Sequence, residues 1–132
     1  MKQTFSVTVL ISLFLFSVSC TEDRYVEVDR AIEAKLKEFS LPEKIGPGIS
    51  LIGIKRDKNA VIYTIEFDEL VHNISNLRKH FTYDVIKEAV SVDAETNYLM
   101  SFFKKKNMDY KWKMVGNISH DSFEVIIKSG EY

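Results

Sequence analysis

Cysteine is nearly absent from this chain: Cys20 is the single one among 132 residues. No intramolecular disulfide can form, and the domain that follows Cys20 holds no thiol nucleophile. Charge of either sign is not in excess. Eighteen Lys and Arg against 19 Asp and Glu give a formal net charge of -1, which argues against a dedicated nucleic-acid binder. A membrane-spanning hydrophobic run is also missing, because the longest apolar stretch, Phe5 to Val18, is about fourteen residues where a spanning helix needs ~20. The motifs that announce chemistry are absent as well: there is no G-x-S-x-G, no G-x-G-x-x-G, no phosphate-cradling glycine run and no H-E-x-x-H. His72, His80 and His120 lack metal-ligand spacing among themselves. Glu66, Asp68 and Glu69 cluster at the end of an expected strand, where acids are usually solvated turn residues. No metal, no cofactor and no enzymatic activity is implied.

What is present begins with the first twenty residues. Lys2 supplies a positive n-region, Phe5 to Val18 an apolar h-region, and Ser17-Val18-Ser19 a small-x-small cleavage site directly before Cys20. In this arrangement the N-terminus resembles that of bacterial lipoproteins, whose export signal ends in a lipobox and whose mature chain begins with an acylated cysteine. The resemblance implies residues 1–19 as signal peptide, lipidation at Cys20 and a membrane-anchored location outside the cytosol. Ser17 stands where the family usually has Leu, and Ser17 with Ser19 also satisfies an ordinary signal peptidase, which would leave Cys20 as a free thiol. Thr21 rather than Asp after the cysteine points, by the same resemblance to enterobacterial lipoproteins, to the outer membrane facing the periplasm.

Residues 20–132 form one domain's worth of chain, and loss of Lys2 with the signal moves the formal charge from -1 to -2. A helical pattern starts almost at once. Tyr25, Val28, Ile32, Leu36 and Phe39 recur at spacings of three and four and predict a helix from about Asp23 to Phe39. Leu41-Pro42 ends it and Gly46-Pro47-Gly48 forms a turn. Ile49–Lys55 and Ala60–Asp68 read as a hairpin closed by residues 56–59, with Val61, Tyr63, Ile65 and Phe67 on its buried face. From Leu77 the helical period returns, with a stripe of Leu77, Phe81, Val85 and Ala89 widened by Ile86 and Val90. Asp93 is a candidate cap for a second helix over Ala94–Phe103. A second hairpin follows, in which Tyr110, Trp112 and Met114, then Phe123, Val125 and Ile127, alternate with polar neighbours across a Gly116-Asn117 turn. The expected fold class is therefore α+β: helix, hairpin, helix, hairpin, with a four-stranded antiparallel sheet carrying its helices on one face.

Two surface features stand out. Lys104, Lys105 and Lys106, followed by Lys111 and Lys113, form a basic cluster that fits an anionic lipid surface or an acidic partner, or equally the cationic end of a helix. The segments Asn73-Ile74-Ser75 and Asn117-Ile118-Ser119 are formal glycosylation sequons, meaningful only in a eukaryotic secretory pathway. An exported domain without a catalytic site acts through its surface. The leading expectation is thus a cell-envelope lipoprotein that binds a partner protein as an inhibitor, an immunity or exclusion factor, or an assembly or pilot factor. The alternatives are a periplasmic carrier of a small ligand, lined by Tyr63, Phe67, Tyr110 and Trp112, and a hydrolase using carboxylates such as Glu66 and Asp68.

Overall fold

The computed structural model describes residues 24–38 and 40–132. The expected signal segment with Cys20, and Phe39 at the end of the first apolar stripe, lie outside the described residues.

Helix α1 covers residues 24–38. Its three-and-four spacing works as expected: Val28 and Ile32 are buried, while Tyr25 and Leu36 pack partly buried against the core. Five strands follow the order β1 (Glu43–Gly46), β2 (Ile49–Asp57), β3 (Ala60–Phe67), then β4 (Asp109–Gly116) and β5 (Ser122–Ile127). Between β3 and β4 lie three helices, α2 (Ile74–His80), α3 (Tyr83–Thr96) and α4 (Tyr98–Lys105). The sheet order is β1-β2-β3-β4-β5, antiparallel throughout except for the central pair β3 and β4, which is parallel.

The expected four-stranded antiparallel sheet is thus corrected to a five-stranded mixed one. The two hairpins were legible, but the three helices carry the chain back to the end where β3 began, so β4 enters in the same direction as β3. The extra strand β1 was missed because its burial is exposed, exposed, exposed and intermediate along Glu-Lys-Ile-Gly, with no apolar alternation to mark it.

The helical region is also corrected. Thr82 restarts the helix by accepting a hydrogen bond from Val85 N at 3.4 Å, which resets the phase. Val85 and Ala89 of the expected stripe become exposed, and the buried residues are Ile86, Val90 and Ala94. Asp93 lies inside α3 and does not cap. The cap is Asn97, whose Oδ1 accepts from Leu99 N at 2.9 Å and Met100 N at 3.2 Å, satisfying two orphan donors of α4.

All four helices contribute to one core with the inner face of the sheet. Phe67, Phe103, Ile65, Met108, Met114, Ile127, Val28 and Val61 are each less than 2% exposed, and burial of a side chain of this kind stabilises by about 1.5–3 kcal/mol. Tyr63 and Tyr110 stack at 5.1 Å between ring centroids and Trp112 lies 5.8 Å from Phe81. These rings pack against the core and one another, so the aromatic strands fill the space that a carrier would have kept open.

The two ends of the sheet differ. At one, α1 is pinned near its start: Arg56 donates to both carboxylate oxygens of Asp29 at 2.7 and 3.1 Å, and Lys106 pairs with Glu27. At the other, three loops close together around Glu69. Its carboxylate accepts from Ile118 N at 2.6 Å, Ser119 N at 2.7 Å and the Ser119 hydroxyl, and these hydrogen bonds hold its pKa below the ordinary carboxylate value. Gly116 lies directly beneath it, and a Cβ there would stand 2.6 Å from Glu69 Oε1, so the carboxylate would have to move.

Candidate functional site: a groove between the first and last helices

α1 and α4 run side by side in opposite directions, with Lys106 after α4 meeting Glu27 near the start of α1. Between them opens a groove of about 520 Å³, lined by Glu27, Arg30, Ala31, Ala34, Lys35 and Glu38 of α1 and by Asn97, Tyr98, Leu99 and Phe102. The floor is apolar because α1 places alanines where its buried stripe gives way to its charged face, leaving Phe102 of α4 partly uncovered beside them, with the buried Leu99 beneath. Tyr98 stands on the rim with 84% of its surface exposed. The other rim carries charges of both signs, with Lys35 Nζ 3.5 Å from Glu38 Oε2.

From Glu27 to Glu38 the trough follows three turns of α1, roughly 16 Å at 1.5 Å per residue. An elongated apolar floor between a charged rim and the Asn97–Tyr98 rim suits a short amphipathic helix, whose apolar stripe lies down and one of whose flanks meets charges. The groove lining holds no histidine or cysteine, and no cluster of three or more potential metal ligands exists among the described residues.

The sequence-predicted site residues are not brought together. Cys20 lies outside the described residues. Lys104 and Lys105 sit in the last turn of α4, exposed and without an ion-pair partner among the described residues. Lys106 is engaged by Glu27 and lies 5.5 Å from the Phe102 ring. Lys111 and Lys113 point to the opposite, helix-free face of the sheet, as their alternation with the inward Tyr110, Trp112 and Met114 requires. There Lys111 pairs with Glu124 at 3.7 Å. The basic cluster is therefore two separate surfaces.

Asp68, Glu69 and His72 are engaged in loop contacts. Asp68 caps the loop by accepting from Leu70 N at 3.0 Å, Glu69 closes the three-loop cluster, and His72 Nε2 lies 2.6 Å from the Pro47 carbonyl. Asn73, the first sequon residue, caps α2, and Asn117, the second, accepts from Glu69 N at 3.1 Å. Sequence reasoning missed the groove entirely. Its one local signal is the pair Ala31 and Ala34, small residues on a helix face otherwise covered by long charged side chains.

No family model matches the chain, and no curated protein matches it in sequence. Solved structures do match in fold. A protein of Pseudomonas aeruginosa assigned as secreted aligns over 82% of this chain and 95% of its own, with a TM-score of 0.60 and 13% identity. The type II secretion system pilotin of Vibrio cholerae aligns over 88% of this chain and 98% of its own, at TM-score 0.59 and 12% identity. The pilotin of the Vibrio vulnificus type 2 secretion system covers 83% and 96%, at 0.55 and 12%. The chain therefore shares an α+β fold with two secretion-system pilotins. No helix among the described residues is long and apolar enough to cross a membrane.

Proposed function

We propose that this protein is a lipid-anchored cell-envelope factor that works without catalysis, seating a helical segment of a partner protein in the α1–α4 groove as an assembly or pilot factor of a secretion machinery. The observation that carries the proposal is the groove itself, a three-turn trough floored by Ala31, Ala34 and Phe102 with a mixed-charge rim along α1. The shared fold with two secretion-system pilotins supports it.

The anchor fits the same picture. Cys20 precedes the first described helical residue, Arg24, by four positions, a reach of about 14 Å fully extended. Acylation there holds the α1-start end of the domain close to the bilayer. Lys104 and Lys105 stand at that end, each contributing up to ~1 kcal/mol near an anionic surface. The protein then sits on the outer membrane, facing the periplasm.

The test is Ala34→Glu, which places a charge on the groove floor at an exposed position that the core does not use. Unchanged expression and membrane fractionation, with loss of a photocrosslink between residue 98 and a helical segment of an envelope protein, is the expected result. A crosslink that survives the substitution at full yield overturns the groove assignment. Metabolic labelling with a clickable fatty acid, lost in Cys20→Ala, tests the anchor separately.

A further inference from the structure

The sheet has a second feature that the groove reading does not use: the outer edge of β5. Gly116 N donates to Asp121 O at 2.9 Å, and these two residues continue the β4–β5 register in which Met114 faces Phe123, Trp112 faces Val125 and Tyr110 faces Ile127. In an antiparallel ladder, hydrogen-bonded pairs recur at every second residue. Phe123, Val125 and Ile127 therefore turn their backbone groups toward β4. Ser122, Glu124 and Ile126 turn theirs outward, where no strand lies beyond β5.

Soluble proteins normally blunt such an edge with proline, a bulge or inward charges. β5 has none of these: its sequence is Ser-Phe-Glu-Val-Ile-Ile, and its register with β4 is unbroken. Alongside it runs a second groove of about 360 Å³, walled by Phe81, Tyr83, Phe123 and Val125 and by Arg78. Arg78 is exposed, lies 5.7 Å over the Phe123 ring, and has no anionic partner among the described residues. Glu124 also lines the groove, but its carboxylate pairs with Lys111 at 3.7 Å, which leaves Arg78 as the cation of the lining.

We propose that the β5 edge is a strand-addition site that takes an extended segment of a partner protein, bearing an apolar and an acidic side chain two residues apart. The segment's backbone pairs with Ser122, Glu124 and Ile126. Its apolar side chain enters the groove between β5 and the α2–α3 junction, and its carboxylate meets Arg78. Main-chain pairing supplies the affinity and the groove with Arg78 supplies the selectivity. This surface is separate from the α1–α4 groove, and the two can be occupied at once.

The test uses a phage-displayed library of random nine-residue segments selected on the purified, processed protein, with the strongest sequence resynthesised as the probe peptide. The expected peptide carries the apolar–acidic spacing. It slows amide exchange at Ser122, Glu124 and Ile126, and it changes the fluorescence of Trp112, the single tryptophan, which packs on Phe81. Ile126→Pro removes an outward N–H without touching the β4 ladder, so it should weaken the peptide at least ten-fold. Arg78→Ala should abolish the preference for the acidic residue. Should Ile126→Pro fail to fold, the exchange measurement on the unaltered protein decides alone. Peptides that bind as helices, that leave the three edge amides unprotected, or that bind Ile126→Pro equally well overturn the proposal. So does protection of those amides by self-association of the chain without any peptide.

Discussion

Raising the pH should unfold this protein through three tyrosines, and the steepness of that transition follows from where they sit. Tyr110 is 5% exposed and Tyr132 is 7% exposed, while Tyr63 stacks on Tyr110 at 5.1 Å. Burial raises the pKa of all three, with Asp93 adding to the effect at Tyr63 and Tyr110 and Asp109 at Tyr132. Tyr132, whose hydroxyl donates to the Met108 carbonyl at 2.5 Å, is pushed up to about 12, and burial raises Tyr63 and Tyr110 as well. In the unfolded chain a tyrosine ionises near 10. Below that pH both states hold the protons and stability is fully retained. Above it the unfolded chain releases three protons that the folded chain keeps, so stability falls by about 1.4 kcal/mol per pH unit for each, or ~4 kcal/mol per unit together. A domain of ordinary stability, roughly 5–15 kcal/mol, is exhausted within a few units. The assay is an alkaline titration followed by circular dichroism and by tyrosinate absorbance. Expected is a cooperative loss of secondary structure coincident with the ionisation of three rings. Tyr110→Phe should lower the slope by a third, to about 2.7 kcal/mol per unit. Gradual ionisation of every tyrosine with the fold intact, or an unchanged slope in Tyr110→Phe, would refute the burial argument.

Two further substitutions probe the packing and the loop closure. Phe103, 1% exposed at the centre of the helical layer, should cost about 3–5 kcal/mol when cut to alanine, read as a lower denaturant midpoint at constant m-value. Gly116→Ala should displace the Glu69 carboxylate, since the new Cβ would lie 2.6 Å from Oε1 and 2.7 Å from Cδ. The expected result is faster limited proteolysis in residues 117–121 with the global unfolding midpoint little changed.

The parts of the fold that were readable from sequence are those with a strong local period. Val61, Tyr63, Ile65 and Phe67 alternate because one face of β3 is buried, and the same holds for Tyr110, Trp112 and Met114. Where the local period fails, so did the reading. β1 is four residues with little burial, and the Thr82 and Asn97 caps set the phase of α3 and α4, where the apolar stripe suggested a run from Leu77 and a second helix capped by Asp93. The parallel β3–β4 pairing leaves no mark within either hairpin, because it is set by the direction in which three helices return the chain. The groove was hidden for a related reason. Ala31 and Ala34 are unremarkable on α1 alone and become a floor only when Leu99 and Phe102, more than sixty residues further on, are laid beside them.

That parallel central pair also governs how the protein must come into being. Ala60 meets Asp109 and Phe67 meets Gly116, a separation of 49 positions, so the middle of the sheet is zipped by its most distant contacts, a slow step in folding. A chain emerging amino-end first has β3 in hand, with its row of Val, Ile and Phe, well before β4 arrives to cover it. Any species stalled or truncated before residue 109 would present that strand as a bare hydrophobic rim, which makes late cleavage products of this chain natural clients for holding chaperones.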